Sequence, residues 1–125
     1  FAPDIDINNN YKNPVIGDRA FGEDKYNVAL KGLMYMNALQ DNNILACGKH
    51  FPGHGDVDAD SHVTMPVVNH SYAHLDSLEF YPFKILMNEG LGSVMLAHLF
   101  VPSLDNVENS APSISQKIGA GVLRD

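Results

Sequence analysis

The chain is poor in cysteine, in basic residues and in long apolar runs, and each shortage removes a class of function. Its one cysteine, Cys47, has no partner for an internal disulfide. Cys47 sits in the apolar run Ile44-Leu45-Ala46-Cys47-Gly48, which makes it a buried thiol, compatible with a reducing compartment. Eight basic residues against fifteen acidic ones give a formal charge of −7. Phosphate-rich partners demand basic patches, and no basic pentamer occurs, so neither nucleic acid nor an anionic membrane surface is an expected partner. No apolar run is long enough to span a bilayer and no signal peptide is present, so no membrane insertion is expected. The chain also lacks an initiator Met and low-complexity tracts. It opens on Phe1-Ala2-Pro3 and closes on Gly121-Val122-Leu123-Arg124-Asp125, ends expected of a piece of something longer.

What is present reads as a folded α/β chain, 45% hydrophobic. Residues 1–7 read as a short strand closed by Asn8-Asn9-Asn10. Asp24 is a plausible N-cap for a helix whose apolar stripe is Tyr26, Leu30, Leu33, Met34 and Ala38, widened by Val28, Ala29 and Leu39. The continuous apolar run at 44–48 predicts a strand buried on both faces. A helical region from 72 to 88 contains Pro82, which predicts two helices, the second starting at Pro82. Residues 93–97 predict a third strand, and a last helix begins near Ser113 or Ser115 and runs to Leu123.

The order β-α-β-α-β-α predicts parallel strands joined by right-handed crossovers. The loops after strands are long and those before them short, the lopsidedness of α/β folds that keep their chemistry at the carboxyl ends of strands. Asp6, Lys49, His50 and His98 all fall on that rim. Three parallel strands cannot close a barrel, so a larger α/β structure is expected around them.

The densest chemistry lies in Lys49-His50-Phe51-Pro52-Gly53-His54-Gly55-Asp56-Val57-Asp58-Ala59-Asp60-Ser61-His62, which holds three of the six histidines. A metal site on His50, His54, His62 and the aspartates is disfavoured. Pro52 and Gly53 stop a helix from placing His50 and His54 on one face, and the aspartates lack EF-hand spacing. Acid/base chemistry fits better, because Asp60 and His62 alternate in an extended segment and so share a face. A carboxylate beside an imidazole fixes its tautomer and raises its pKa, as a general acid/base near neutral pH requires. The bland alternative is a solvated polar loop. No Gly-x-Ser-x-Gly elbow supports Ser61 as a nucleophile. Lys49 and His50 read as fixed donors to substrate hydroxyls, against a surface lysine snorkelling from its strand.

The motif from Lys49 to Asp56, followed by Asp58-Ala59-Asp60-Ser61-His62 and Met65-Pro66, resembles the signature of family 3 glycoside hydrolases, in particular their β-N-acetylhexosaminidase (NagZ-like) branch. Phe1-Ala2-Pro3-Asp4-Ile5-Asp6, Ile16-Gly17-Asp18-Arg19-Ala20-Phe21, Tyr81-Pro82-Phe83 and Val94-Met95-Leu96-Ala97-His98 extend the resemblance along nearly the whole chain. It implies about three consecutive β/α units of a TIM-like (β/α)8 barrel, occupying residues 1–125 as a partial N-terminal domain. By position, His62 is the implied general acid/base and Asp60 its orienting partner. Arg19, Lys49 and His50 match sugar-binding positions, with Asp6 and His98 as further rim residues. The implied reaction is retaining release of terminal β-linked N-acetylglucosamine, without cofactor or metal, in a bacterial cytoplasm or periplasm. The nucleophilic aspartate is implied just past Asp125, so the 125 residues alone are expected to be inactive. The competing readings are a non-catalytic carbohydrate-binding piece, a family 3 β-glucosidase-type hydrolase and a metal-dependent hydrolase.

Overall fold

A computed structural model describes residues 1–57, 65–107 and 110–123. The N-terminal segment comes first and lies parallel to the strand that follows it. It joins that strand through one bridge between Asp4 and Lys49 and through amide bonds Cys47 N→Ala2 O, Lys49 N→Pro3 O and Ile5 N→Lys49 O. A 3-10 turn at Gly17–Arg19 leads to helix α1, Lys25–Gln40, whose N-cap Asp24 accepts from the Asn27 amide as the sequence predicts.

Strand β1 spans Cys47–Phe51 and pairs in parallel with β2, Ser93–Leu96, with an irregularity between Lys49 and Phe51. The N-terminal segment, β1 and β2 thus lie side by side in chain order, as in a sector of a parallel barrel. Two strand boundaries differ from the sequence reading. Residues 1–7 form a bridged extended segment rather than a full strand. The second strand lies three residues later than the run at 44–48, because Asn43 adopts φ 60 and the Ile44 amide bonds back to Leu39 O, closing the helix. Ile44 and Leu45 are left 55% and 69% exposed.

Between the strands run α2, Tyr72–Ser77, and α3, Phe80–Asn88. Two helices were expected here, but the break falls at residues 78–79 and not at Pro82. Pro82 is the third residue of α3, in the first turn, where its missing N–H removes no helical bond. The last helix is a π-helix, Lys117–Val122, shorter than expected.

Helix α1 corrects the predicted stripe. Its buried residues are Val28, Ala29, Gly32 and Met36. Tyr26, Leu30 and Met34 are 60%, 56% and 64% exposed. The helix is apolar on most sides, so spacing alone does not choose a face. Gly32 does: a Cβ there would stand 2.7 Å from Ile5 Cγ2, so only glycine lets α1 press onto the N-terminal segment. The core between helices and sheet contains Ile5, Ile7, Met36, Phe51, Phe83, Leu86 and Leu99. Phe51 at the end of β1 stacks on Phe80 at 5.1 Å and meets Phe83 edge-on at 5.3 Å. Burying each such side chain contributes roughly 1.5–3 kcal/mol, and here it also clamps α3 under the carboxyl end of β1.

Candidate active site

The carboxyl end of β1 turns sharply at residues 50–55, and two glycines allow it. Gly53 adopts φ +130, and a Cβ there would meet Glu79 Oε2 at 2.8 Å. A Cβ on Gly55 would lie 1.7 Å from Ile7 O. The turn is therefore wedged between the backbone of the N-terminal segment and the Glu79 side chain. Asn13 ties it further, donating from Nδ2 to His54 O at 2.7 Å.

Asp6 organises the turn. Its carboxylate, 1% exposed, accepts the His50 amide at 3.2 Å on both oxygens and the His54 amide at 2.8 Å. His50 Nδ1 lies 2.7 Å from Asp6 Oδ2. With Nδ1 donating to the carboxylate, Nε2 of the 16% exposed His50 side chain remains for a ligand. Geometry gives Asp6 the role of anchor to His50 and His54, because its oxygens are taken up by protein donors. His54, behind it, has its pKa lowered by burial.

Arg19 and Lys49 line a shallow cleft of about 280 Å³ together with Phe1, Asp4, Phe21 and Tyr35. Arg19 spends Nε (3.0 Å) and Nη2 on Val15 O, and its Nη1 lies 3.9 Å from Asp4 Oδ2. His98 stands two residues past β2, exposed, with Nδ1 3.0 Å from Ser113 Oγ. The structure thus joins Asp6 with His50 directly and sets Arg19 and Lys49 along one cleft. Asp60 and His62 lie outside the described residues.

Three features escaped the sequence reading. Asp4 shares the face of Asp6 by strand alternation, a signal present in Asp4-Ile5-Asp6. Burial and the neighbouring Asp6 push its carboxyl up to about 6. His70 Nε2 lies within hydrogen-bond distance of Asp56 Oδ2, at 2.6 Å, with the His70 ring stacked 4.1 Å from that of His74. Glu79 is a buried acid between Leu78 and Phe80, an exception to an apolar stretch that the sequence itself displays.

A metal is offered one set of ligands among the described residues: Asp4, Asp6 and His50, whose ligand atoms lie within 4.8 Å of one another. It differs from the cluster weighed in the sequence. An ion there would compete with the His50–Asp6 bond and with Arg19 beside Asp4.

The comparison with known families matches this chain over residues 1–125 to the glycosyl hydrolase family 3 N terminal domain. The chain belongs to glycoside hydrolase family 3. Among family members, it is 41% identical over 105 residues to a β-hexosaminidase of Thiobacillus denitrificans, 84% of this chain and 29% of that protein. It is 40% identical over 107 residues to β-hexosaminidase A of Pseudoalteromonas piscicida, 85% of this chain and 18% of that protein. The chain thus spans less than a third of the length of these curated relatives. A solved family 3 β-N-acetylglucosaminidase from Paenibacillus sp. superposes with a TM-score of 0.96 at 41% identity, covering 99% of this chain and 23% of that one. NagZ from Neisseria gonorrhoeae, solved with N-trifluoroacetyl-D-glucosamine, gives 0.88 at 34% identity, covering 99% of this chain and 35% of that one. The fold is accordingly part of the family's α/β barrel domain, with the parallel strands and the rim expected of it.

Proposed function

We propose that these residues are the sugar-gripping and proton-delivering sector of a retaining β-N-acetylhexosaminidase that releases terminal β-linked N-acetylglucosamine. One observation carries the reading: His50, at the end of β1 beside Lys49, is locked by Asp6, in a chain aligned over 99% of its length with a NagZ bound to a glucosamine derivative. Lys49, His50 and Arg19 donate hydrogen bonds to sugar hydroxyls, and His98 closes the rim at the next strand. Asp6 fixes the His50 tautomer and the backbone of the turn.

His62 protonates the glycosidic oxygen as an aspartate attacks the anomeric carbon. It then removes a proton from the water that hydrolyses the glycosyl-enzyme. Asp60 orients its imidazole. The attacking aspartate, by the family resemblance, is supplied from beyond Asp125, so these 125 residues alone give no turnover. The usual retaining site uses two carboxylates about 5–5.5 Å apart; a His–Asp pair takes the place of one of them.

The test is hydrolysis by the complete gene product containing these residues. An N-acetyl-β-glucosaminide with a nitrophenyl leaving group needs little protonation, whereas one with an alkyl leaving group needs much. His62→Ala is expected to lower kcat/KM, which reports the glycosylation step, by at least about 10²-fold on the alkyl glycoside, the worth of a general acid, and by less on the nitrophenyl glycoside. Equal losses on both, or full activity of the variant, would remove His62 from the role. No hydrolysis by the unaltered protein would leave the carbohydrate-binding reading in its place.

A further inference from the structure

Glu79 is a buried acid, 2% exposed, that the mechanism leaves unused. It opens α3 at the N-cap position without capping it through its side chain. Its Oε1 receives a 3.4 Å hydrogen bond from Asn9 Nδ2, and its buried Oε2 has no hydrogen-bond partner among the described residues. Its carboxyl and stem press on Gly53, filling the space a Cβ would need.

We propose that Glu79 is a positioning residue of the sugar-binding turn: its carboxyl backs Gly53 and so holds His50 where the substrate meets it. This rests on the glycosidase reading for its ligand, though not for its geometry. Gly53 is three residues from His50, and the Gly53 amide bonds back to His50 O at 2.8 Å, so displacement of one moves the other. Glu79 is the surface against which that turn closes.

The surroundings also decide the form in which Glu79 acts. Among the described residues, the charges that bear on it are Asp6 from the N-terminal segment and Asp56 from the turn, both acidic. Asn9 alone is too weak a donor to hold a buried charge between them. Burial, reinforced by Asp6 and Asp56, pushes its pKa up to about 8. Below that pH a neutral acid backs the turn; above it a third negative charge appears beside Asp6 and Asp56 and pushes the turn outward.

The experiment compares the complete gene product with Glu79→Gln and Glu79→Ala by calorimetric titration with N-acetylglucosamine from pH 6 to 9.5. Glutamine keeps the shape and the neutrality. At pH 6.5 its Kd is expected to stay within about twofold of the unaltered protein, while Glu79→Ala weakens binding about tenfold, the worth of one lost positioning contact. Above pH 8 the unaltered protein weakens and Glu79→Gln does not. If Glu79→Gln binds as poorly as Glu79→Ala at pH 6.5, or if the two pH curves run parallel, the proposal falls. Absence of N-acetylglucosamine binding by the unaltered protein would instead overturn the glycosidase reading. The melting temperature separates the two failures. Glu79→Gln should gain on the unaltered protein steadily from pH 5 to 8, by several degrees in all, and no further beyond. A constant gap across that range overturns the role assigned to Glu79 whatever the ligand.

Discussion

Asp6 and Glu79 are two carboxyl groups at 1% and 2% exposure, packed against the same turn, and they are satisfied in opposite ways. Asp6 has the acid Asp4 beside it, but it also faces two backbone amides and an imidazole, groups that favour an oxygen acceptor. Glu79 faces one weak amide donor and two acids, and it is relieved by keeping its proton. The lesson is that burial alone does not set what an acid does. The donors placed around it do, and here they turn one carboxyl into an anchor and the other into a wedge.

Breaking the anchor should have the largest effect. Asp6→Ala removes the acceptor that the His50 and His54 amides and His50 Nδ1 share, at about 1–3 kcal/mol for each bond lost from a buried or half-buried donor. The expected outcome in the complete gene product is loss of hydrolysis beyond detection and a fall in urea midpoint. Asp6→Asn keeps one acceptor oxygen and should recover part of the stability. If Asp6→Ala folds with an unchanged midpoint, the anchor is not what holds the turn.

The packing side of the comparison comes next. Gly55→Ala drives a Cβ into Ile7 O, so the turn must leave the N-terminal segment, costing about 2–3 kcal/mol in the range for overpacking. Denaturant unfolding and the KM for an N-acetylglucosaminide read it together. An unchanged KM would mean that Lys49 and His50 do not depend on the turn.

On the wedge side, replacing the acid should stabilise. A folded pKa of about 8 against an ordinary 4.5 means that the folded state holds a proton which the unfolded state has released. Stability therefore falls as pH rises from about 4.5 to 8 and is level above, and removing the ionisable group removes a loss of several kcal/mol. Asp4, pushed up to about 6, should show the same sign in a narrower window, so Asp4→Asn gains stability between about pH 4 and 6. Melting temperatures across pH check both, and a decline that persists in the variants would place its source elsewhere.

Smallest of all should be chelation and the rim. Prolonged dialysis against a chelator is expected to leave hydrolysis unchanged, since the described ligand set is held by hydrogen bonds and Arg19; loss restored by zinc would make Asp4, Asp6 and His50 a working metal site. His98→Ala, whose imidazole is exposed and bonded only to Ser113 among the described residues, should change stability by less than about 0.5 kcal/mol. A rise in KM of a few-fold would tie it to the sugar.

Much of this was legible in the residues. Asp24 announced α1, the lopsided loops announced the rim, and Lys49-His50 stood where β1 ends. Less legible were the strand boundaries, because Ile44 and Leu45 look like strand and close a helix instead. The buried face of α1 was hidden too, because a helix apolar on most sides gives no single stripe. Glu79 and the Asp56–His70 pair could not be found by spacing at all, since Asn9 and Glu79 lie 70 residues apart and Asp56 and His70 are 14 apart.

What the amino-acid order determined by itself is the chemistry available: alternating α/β elements, a glycine-rich turn after a strand, and a run of His and Asp with a family signature. Those follow from local propensity and from residue type. What only tertiary structure decided is which acid is an acceptor and which keeps its proton. Hydrogen-bond donors and neighbouring charges reach Asp6 and Glu79 from segments far apart in the chain, and a carboxyl's state follows from that company.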